Sequence, residues 1–274
     1  MRQRKLKNLD EKLALYSGGI QINPMAMKGR WQALFEKEQP IYMELGCGKG
    51  QFILKLAQAY PERNFIAVEG NRSVMLRALE KASRVLNLDY DPEEVARPGR
   101  HPHTPLPQAV AEHGMFAVDE EKAKAAAQEY EESKWSTAED DCVYAVLPNL
   151  IFANMYLRSV TDCFEKNELS GIYLNFSDPW PKDRNAKRRL THTRYLKGYQ
   201  AVTTPDACLE FKTDNEGLFR FSVEEFDANE LEKLEYTEDL HGEGSAYESA
   251  NYMTEYEQKF SSKGNPIYYC KVKL

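Results

Sequence analysis

Ile41-Tyr42-Met43-Glu44-Leu45-Gly46-Cys47-Gly48-Lys49-Gly50 is a short apolar run that ends in an acid-bearing, glycine-rich turn. Entered from Pro40, the run reads as a buried strand. Glycines at alternate positions let the chain turn sharply and bring its backbone close to a ligand at the start of a helix. Apolar side chains then recur at helical spacing (Phe52, Ile53, Leu56, Ala57, Tyr60) until Pro61 stops the helix. A second apolar strand runs from Asn64 to Gly70, and a second helix carries Met75, Leu76, Leu79, Ala82 and Leu86 on one face. This alternation predicts an α/β fold with a parallel sheet and right-handed crossovers.

The rhythm breaks between about residues 89 and 138. Pro92, Pro98, Pro102, Pro105 and Pro107 follow one another closely, and an acidic, alanine-rich piece from Asp119 to Lys134 comes next. Neither offers enough periodic apolar surface for a core of its own, so the stretch reads as an inserted surface excursion. Alternation then resumes with a strand at 150–153, a helix from Leu157 to Phe164 and a strand at 171–176. A helix at 194–201, a strand at 208–212 and a helix at 217–226 follow. Two late strands, near 231–238 and 266–272, have no helical pattern between them and predict an antiparallel edge hairpin. The expected organisation is a basic segment, 1–40, followed by a single domain, 41–274, carrying the insertion.

The 274 residues are 42% hydrophobic and 29% charged, with no run of about 18 apolar residues, which excludes a membrane-spanning helix from the expectations. The basic start, Met1 to Lys7, lacks the apolar stretch of a secretory signal. Cys47, Cys142, Cys163, Cys208 and Cys270 are odd in number and form no CxxC pair, as expected for free thiols in a reducing cytoplasm. The net charge of −7 is unevenly spread: residues 89–142 carry −9 and the rest of the chain +2. A polyanionic partner therefore stays open.

Glu69 stands 19 residues beyond Gly50, at the end of the second strand, where a carboxylate can hold both hydroxyls of a ribose. The alternative for it is a charge facing a helix N-terminus. The turn reads GxGxG, not the GxGxxG of a dinucleotide site, and Glu44 precedes it. A carboxylate there repels a pyrophosphate and attracts an ammonium or sulfonium centre, both of which S-adenosylmethionine carries. The most specific stretch is Asn175-Phe176-Ser177-Asp178-Pro179-Trp180-Pro181-Lys182, at the C-terminal end of a strand, where open α/β sheets place their chemistry. From Lys182 to Lys197, seven of 16 residues are basic and one is acidic. A charge run is usually a solvated face, but this one adjoins the expected reacting centre, which favours phosphate contact. His101, His103 and His113 lie in proline-rich context without a fourth ligand, so no metal site is expected.

The Glu-Leu-Gly-Cys-Gly turn, Glu69, Asn175 to Lys182, Lys187-Arg188-Arg189-Leu190-Thr191, Lys212-Thr213-Asp214-Asn215 and Thr254-Glu255-Tyr256-Glu257 resemble the bacterial tRNA (guanine-N7-)-methyltransferase family, in family order. The resemblance implies a Rossmann-like class I methyltransferase sheet, mostly parallel, with helices on both faces. It implies methyl transfer from S-adenosylmethionine to N7 of the variable-loop guanine, position 46 in tRNA numbering. It assigns cofactor contacts to Glu44, Gly46, Gly48, Glu69, Asn154 and Asp178, with Asp178 also catalytic. Substrate contacts fall on Lys182, Asp214, Thr254, Glu255, Tyr256 and Glu257, and RNA contacts on Arg184, Lys187, Arg188 and Arg189. Expected with these are tRNA as partner, a cytoplasmic protein acting as monomer or homodimer, and neither membrane nor metal. The long insertion departs from the compact family pattern. The competing readings are a same-fold methyltransferase on another nucleic acid, a non-catalytic RNA-binding subunit and, weakest, a nicotinamide oxidoreductase.

Overall fold

The strands are β1 (Ile20–Gln21), β2 (Ile41–Leu45), β3 (Asn64–Glu69), β4 (Leu150–Asn154), β5 (Leu169–Asn175), β6 (Thr203–Thr213), β7 (Lys233–Thr237) and β8 (Tyr268–Lys273). They form one sheet in the order β1-β4-β3-β2-β5-β6-β8-β7. The computed structural model describes residues 8–16, 18–85, 147–156, 159–242 and 252–274. Among them the helices are α1 (Leu9–Ala14), α2 (Gln51–Ala59), α3 (Arg72–Val85), α4 (Thr193–Val202), α5 (Glu216–Ala228) and α6 (Glu255–Ser261). The insertion, its three histidines and Arg2, Arg4, Lys5 and Lys7 lie outside the described residues.

Only β8 runs against the sheet, pairing antiparallel with both β6 and β7. The other ladders are parallel. β2, β3 and β4 are buried along nearly their whole length, as strands covered on both faces must be. One apolar layer joins Ile53, Leu56, Met75 and Leu79 of α2 and α3 to Phe65 and Phe152. The opposite layer joins Tyr199 and Phe219 of α4 and α5 to Ile66, Ile172 and Phe211. The described part of the segment before β2 belongs to these layers: Trp31 is fully buried and stacks on Phe164 at 5.1 Å. β1 adds an outer strand beside β4.

Two expectations fail locally. The helix expected from Leu157 to Phe164 is, in its described part, a single 3-10 turn, Val160–Asp162. Ser159 and Thr161 share a side-chain hydrogen bond of 2.7 Å there, and such local bonding competes with helical pairing. Conversely, α6 lies between β7 and β8, where no helical pattern was read. Its seven residues are started by a capping box: the Thr254 hydroxyl accepts from the Glu257 N–H at 2.9 Å, and the Glu257 carboxylate accepts from the Thr254 N–H at 3.1 Å.

Candidate active site

The register of the sheet brings the proposed chemistry to one edge. Glu69 at the end of β3 lies opposite Asn154 at the end of β4, and Asn175 at the end of β5 lies opposite Lys212. Between them the turn after β2 passes through Gly46 (φ 83°) and Gly48 (φ 57°), left-handed conformations that disfavour any side chain. A Cβ at either position would meet nothing within 4 Å, so both glycines border open space.

That space is a cavity of about 390 Å³, bounded by Glu44, the glycine turn, Gln51, Phe52, Asn175 and Phe176, and on its far side by Thr254, Glu255 and Tyr256. Glu44 is 1% exposed. Its Oε1 accepts from Asn175 Nδ2 at 2.8 Å, whereas its Oε2 has no partner. Burial raises its pKa to about 7, against the opposing effects of the Asn175 amide and the Lys212 charge. The Glu69 carboxylate accepts from the Gly48 N–H at 3.1 Å and the Asn71 N–H at 2.7 Å, and burial likewise raises its pKa. Cys47 is buried, which drives its thiol well above its ordinary value and leaves it unsuited to act as a nucleophile.

Beyond β5 the chain turns sharply. Phe176 (φ 51°) and Trp180 (φ 42°) both adopt left-handed backbone, a costly state for aromatic residues that clusters at functional sites. They bracket Asp178, which is exposed next to the buried Ser177 hydroxyl. Arg189 braces this turn from below, its guanidinium donating to the carbonyls of Pro179 at 3.0 Å and Trp180 at 3.1 Å.

The profile of a family described as "Putative methyltransferase" matches residues 38–94 and 120–270. The tRNA (guanine-N(7)-)-methyltransferase of Oceanobacillus iheyensis is 35% identical over 271 residues, covering 99% of this chain and 98% of that protein. That of Clostridioides difficile is 34% identical over 274 residues, covering 100% and 99%. The chain belongs to the tRNA (guanine-N(7)-)-methyltransferase family. Among solved structures, that of the 16S rRNA methyltransferase KamB aligns at a TM-score of 0.45 with 13% identity, over 89% of this chain and 91% of that one.

The methyl donor of this family member is S-adenosylmethionine, and the residues present fit it. Glu44 Oε2, Gln51 Oε1 and Ser177 Oγ are buried without a hydrogen-bond partner, an arrangement that costs about 1–3 kcal/mol per group unless a ligand supplies donors. Two carboxylates beside two side-chain-free turn positions suit a ligand with a cationic centre and a ribose. Among the described residues no group of three or more His, Cys, Asp or Glu side chains is placed to hold a metal ion.

Other expected residues divide by what they touch. Asn154 reaches the same edge, but its amide Nδ2 donates to the carbonyls of Glu69 at 2.9 Å and Gly70 at 3.4 Å, holding the strand ends together. Lys182, Arg184, Lys187 and Arg188 are exposed, and Arg188 covers the Trp180 ring at 4.4 Å. Arg189 departs from the expected phosphate contact: it is buried, bound to two carbonyls and stacked on Phe221 at 4.3 Å. Glu257 departs from the expected substrate contact in the same way. It is fully buried and paired with Lys212 at 2.8 Å and His241 at 2.9 Å. Its neighbours face outward: Tyr256 donates to the Asp214 carboxylate at 3.2 Å and packs on Phe176, with ring centroids 4.9 Å apart. Glu255 bridges Lys81 of α3 at 2.5 Å and Lys49 of the glycine turn at 3.7 Å.

Sequence reasoning missed α6 as a wall of the cavity, and Gln51 with it. Thr254-x-x-Glu257 is itself a capping-box signature, the one local signal that marked a helix start there.

Proposed function

We infer that this protein transfers the methyl group of S-adenosylmethionine to N7 of a guanine in tRNA, at position 46 of the variable loop. The observation that carries this reading is the Asp178 segment, which leaves the cavity wall at Asn175 and Phe176 and runs on into the exposed cations Lys182, Arg184, Lys187 and Arg188. The donor supplies an activated methyl carbon on a positively charged sulfur. Guanine N7 offers an in-plane lone pair and has no proton to lose, so the reaction needs no strong base. What remains for the chain is alignment and charge. In this reading Glu44 and Glu69 fix the donor by its charge and its ribose. Asp178 accepts hydrogen bonds from the N1–H and amino edge of guanine and offsets the positive charge the ring acquires. Lys182 meets O6 or a neighbouring phosphate, and Asp214 with Tyr256 orients the nucleotide.

The target base is stacked inside a folded RNA, and unstacking it costs a few kcal/mol, supplied by contacts elsewhere on the tRNA. The exposed cations after Lys182 are suited to that role. The same reading puts the protein in the cytoplasm with its RNA; no helix among the described residues is long and apolar enough to cross a membrane.

The test is incubation of the pure protein with labelled donor and unmodified tRNA transcripts, followed by aniline scission, which cuts at 7-methylguanine. Label incorporation with cleavage at position 46, abolished in a transcript carrying adenine there, is the expected result. Label at another base or at an exocyclic amine favours the rival methyltransferase reading, and no incorporation favours a non-catalytic RNA-binding subunit.

A further inference from the structure

Beyond β5 the two faces of the sheet differ. One buries Leu209, Phe211, Cys270 and Val272 in the layer of α4 and α5. The other carries Glu210 and Lys212 of β6, Tyr269 and Lys271 of β8 and Glu235 of β7. The register sets them side by side, with Glu210 and Glu235 each opposite Lys271 and with Lys212 opposite Tyr269. A central strand such as β6 ordinarily buries apolar side chains on both faces, so this polar face calls for an explanation.

The same side chains floor a second cavity, of about 250 Å³, which Tyr60, Tyr173 and Tyr252 help to enclose. Phe52 and Asn175 line both this cavity and the one beside the glycine turn, so the two are neighbours. Its charges balance. Lys271 stands 3.3 Å from Glu235 and 3.7 Å from Glu210, and the Tyr269 hydroxyl donates to the same carboxylates at 2.9 Å and 3.3 Å. Lys212 is answered by Glu257, and Arg63 lies over the Tyr60 ring at 4.3 Å. An ion of either sign gains little from such a lining. Glu210 and Glu235 nevertheless remain 32% and 29% exposed, and a carboxylate has about four acceptor sites, more than these contacts use. Ring surface stands beside those acceptors: Tyr60 and Tyr252 meet edge to face at 5.9 Å, and Tyr173 is their counterpart on the sheet.

We propose that this second cavity receives one nucleobase of the bound tRNA, a neighbour of the target guanine that leaves the stack with it. The inference rests on the reading of tRNA as the substrate. A base is flat and uncharged and carries N–H donors on its edge, which matches aromatic walls and spare acceptors without net charge. Pockets for drug-sized ligands begin at about 300 Å³; this smaller one suits a single ring system. Its place fits as well. Drawing the target out loosens the stack on either side of it, and capture of an adjacent base one wall away offsets part of that cost.

The experiment is a mutant cycle between protein and RNA. Parent, Tyr60→Ala and Glu235→Gln proteins are titrated by filter binding with intact transcripts and with transcripts lacking the base on the 5′ or the 3′ side of the target. The parent is expected to bind one of the two abasic transcripts about 10-fold more weakly, the scale of losing one base–aromatic stack. Tyr60→Ala is expected to lose about 10-fold on the intact transcript and nothing further on that abasic one, and Tyr60→Phe to restore affinity. Glu235→Gln, which keeps the volume of the side chain, is expected to show the same lack of additivity. Calorimetric affinity for S-adenosylhomocysteine is expected to stay unchanged throughout. Abasic transcripts that all bind the parent within twofold of the intact one overturn the proposal, as do losses that add between protein and RNA. A loss of S-adenosylhomocysteine affinity in these variants also overturns it, because the cavity would then belong to the donor site. A parent protein that methylates no tRNA brings down the substrate reading itself; one that methylates tRNA while the losses add brings down only the role of the cavity.

Discussion

Lys212 extends from β6 to place its Nζ 2.8 Å from Oε2 of Glu257, with 3% and 0% of the two side chains exposed. The same ammonium donates to the Tyr252 carbonyl at 3.1 Å, and the same carboxylate caps α6. One buried pair thus fastens the wall formed by Thr254, Glu255 and Tyr256 to the central sheet. Burial lowers the pKa of Lys212 against the upward pull of Glu257.

Removing one partner leaves the other charge buried and unpaired. Glu257→Gln is expected to destabilise the protein by about 3 kcal/mol, whereas the double change Lys212→Met with Glu257→Leu loses less, because no charge is then stranded. Urea denaturation of the three proteins measures this; equal losses in single and double variants would contradict it.

With Glu44 as the proposed ligand of the donor's cationic centre, donor binding is expected to depend on pH. The Glu44 pKa of about 7 means that the unliganded carboxyl takes up a proton as pH falls through neutrality, and a cationic donor binds the carboxylate form. Donor affinity is expected to decline below pH 7, by up to about tenfold per pH unit, and Glu44→Gln to flatten the profile. The stability effect has the opposite sense. A folded-state pKa raised above the ordinary carboxylate value contributes stability that is present at low pH and lost as pH rises through about 7. Calorimetric titration of donor at a series of pH values on either side of neutrality, on both proteins, checks the first claim.

Asp178→Asn keeps the shape of the turn and removes the charge. The expected outcome is a kcat lowered about 100-fold, the scale of losing one group aimed at developing charge, with tRNA affinity little altered. Single-turnover methylation of tRNA measures it, and an unchanged rate removes Asp178 from the reaction.

Arg188 and Arg189 are sequence neighbours with different surroundings, and salt tells them apart. Neutralising Lys187 and Arg188, both exposed, is expected to reduce the slope of log affinity against log salt by about 0.7–0.9 for each phosphate the protein no longer neutralises. Arg189→Gln is expected to leave the slope alone and slow methylation, because it unties the carbonyls of Pro179 and Trp180. Filter binding over a salt series, beside rate measurements, distinguishes the two.

Much of this was legible in the residues alone. The glycine turn, Glu44, Glu69 and the Asp178 segment mark strand ends because apolar runs stop there, and a parallel sheet then gathers those ends along one edge. What the sequence did not reveal is which polar residues turn inward. Arg189 and Glu257 stand in charged, motif-like surroundings that read as solvent-facing, yet tertiary contacts from Pro179, Phe221 and Lys212 draw them into the interior. α6 escaped notice because a seven-residue helix holds too little apolar periodicity, and capping rather than amphipathicity begins it. Gly70 reads as an ordinary strand end; in the structure the exposed Tyr156 ring lies on it, where a Cβ would displace that ring.

The two backbone amides that grip Glu69 come from different elements, Gly48 in the turn after β2 and Asn71 at the entrance to α3. In the proposed site that carboxylate is a rivet as well as a receptor, held in place before a sugar arrives. Its replacement slackens the loop on one flank and the helix entrance on the other, so the affinity forfeited will exceed what two ribose hydroxyls alone could account for.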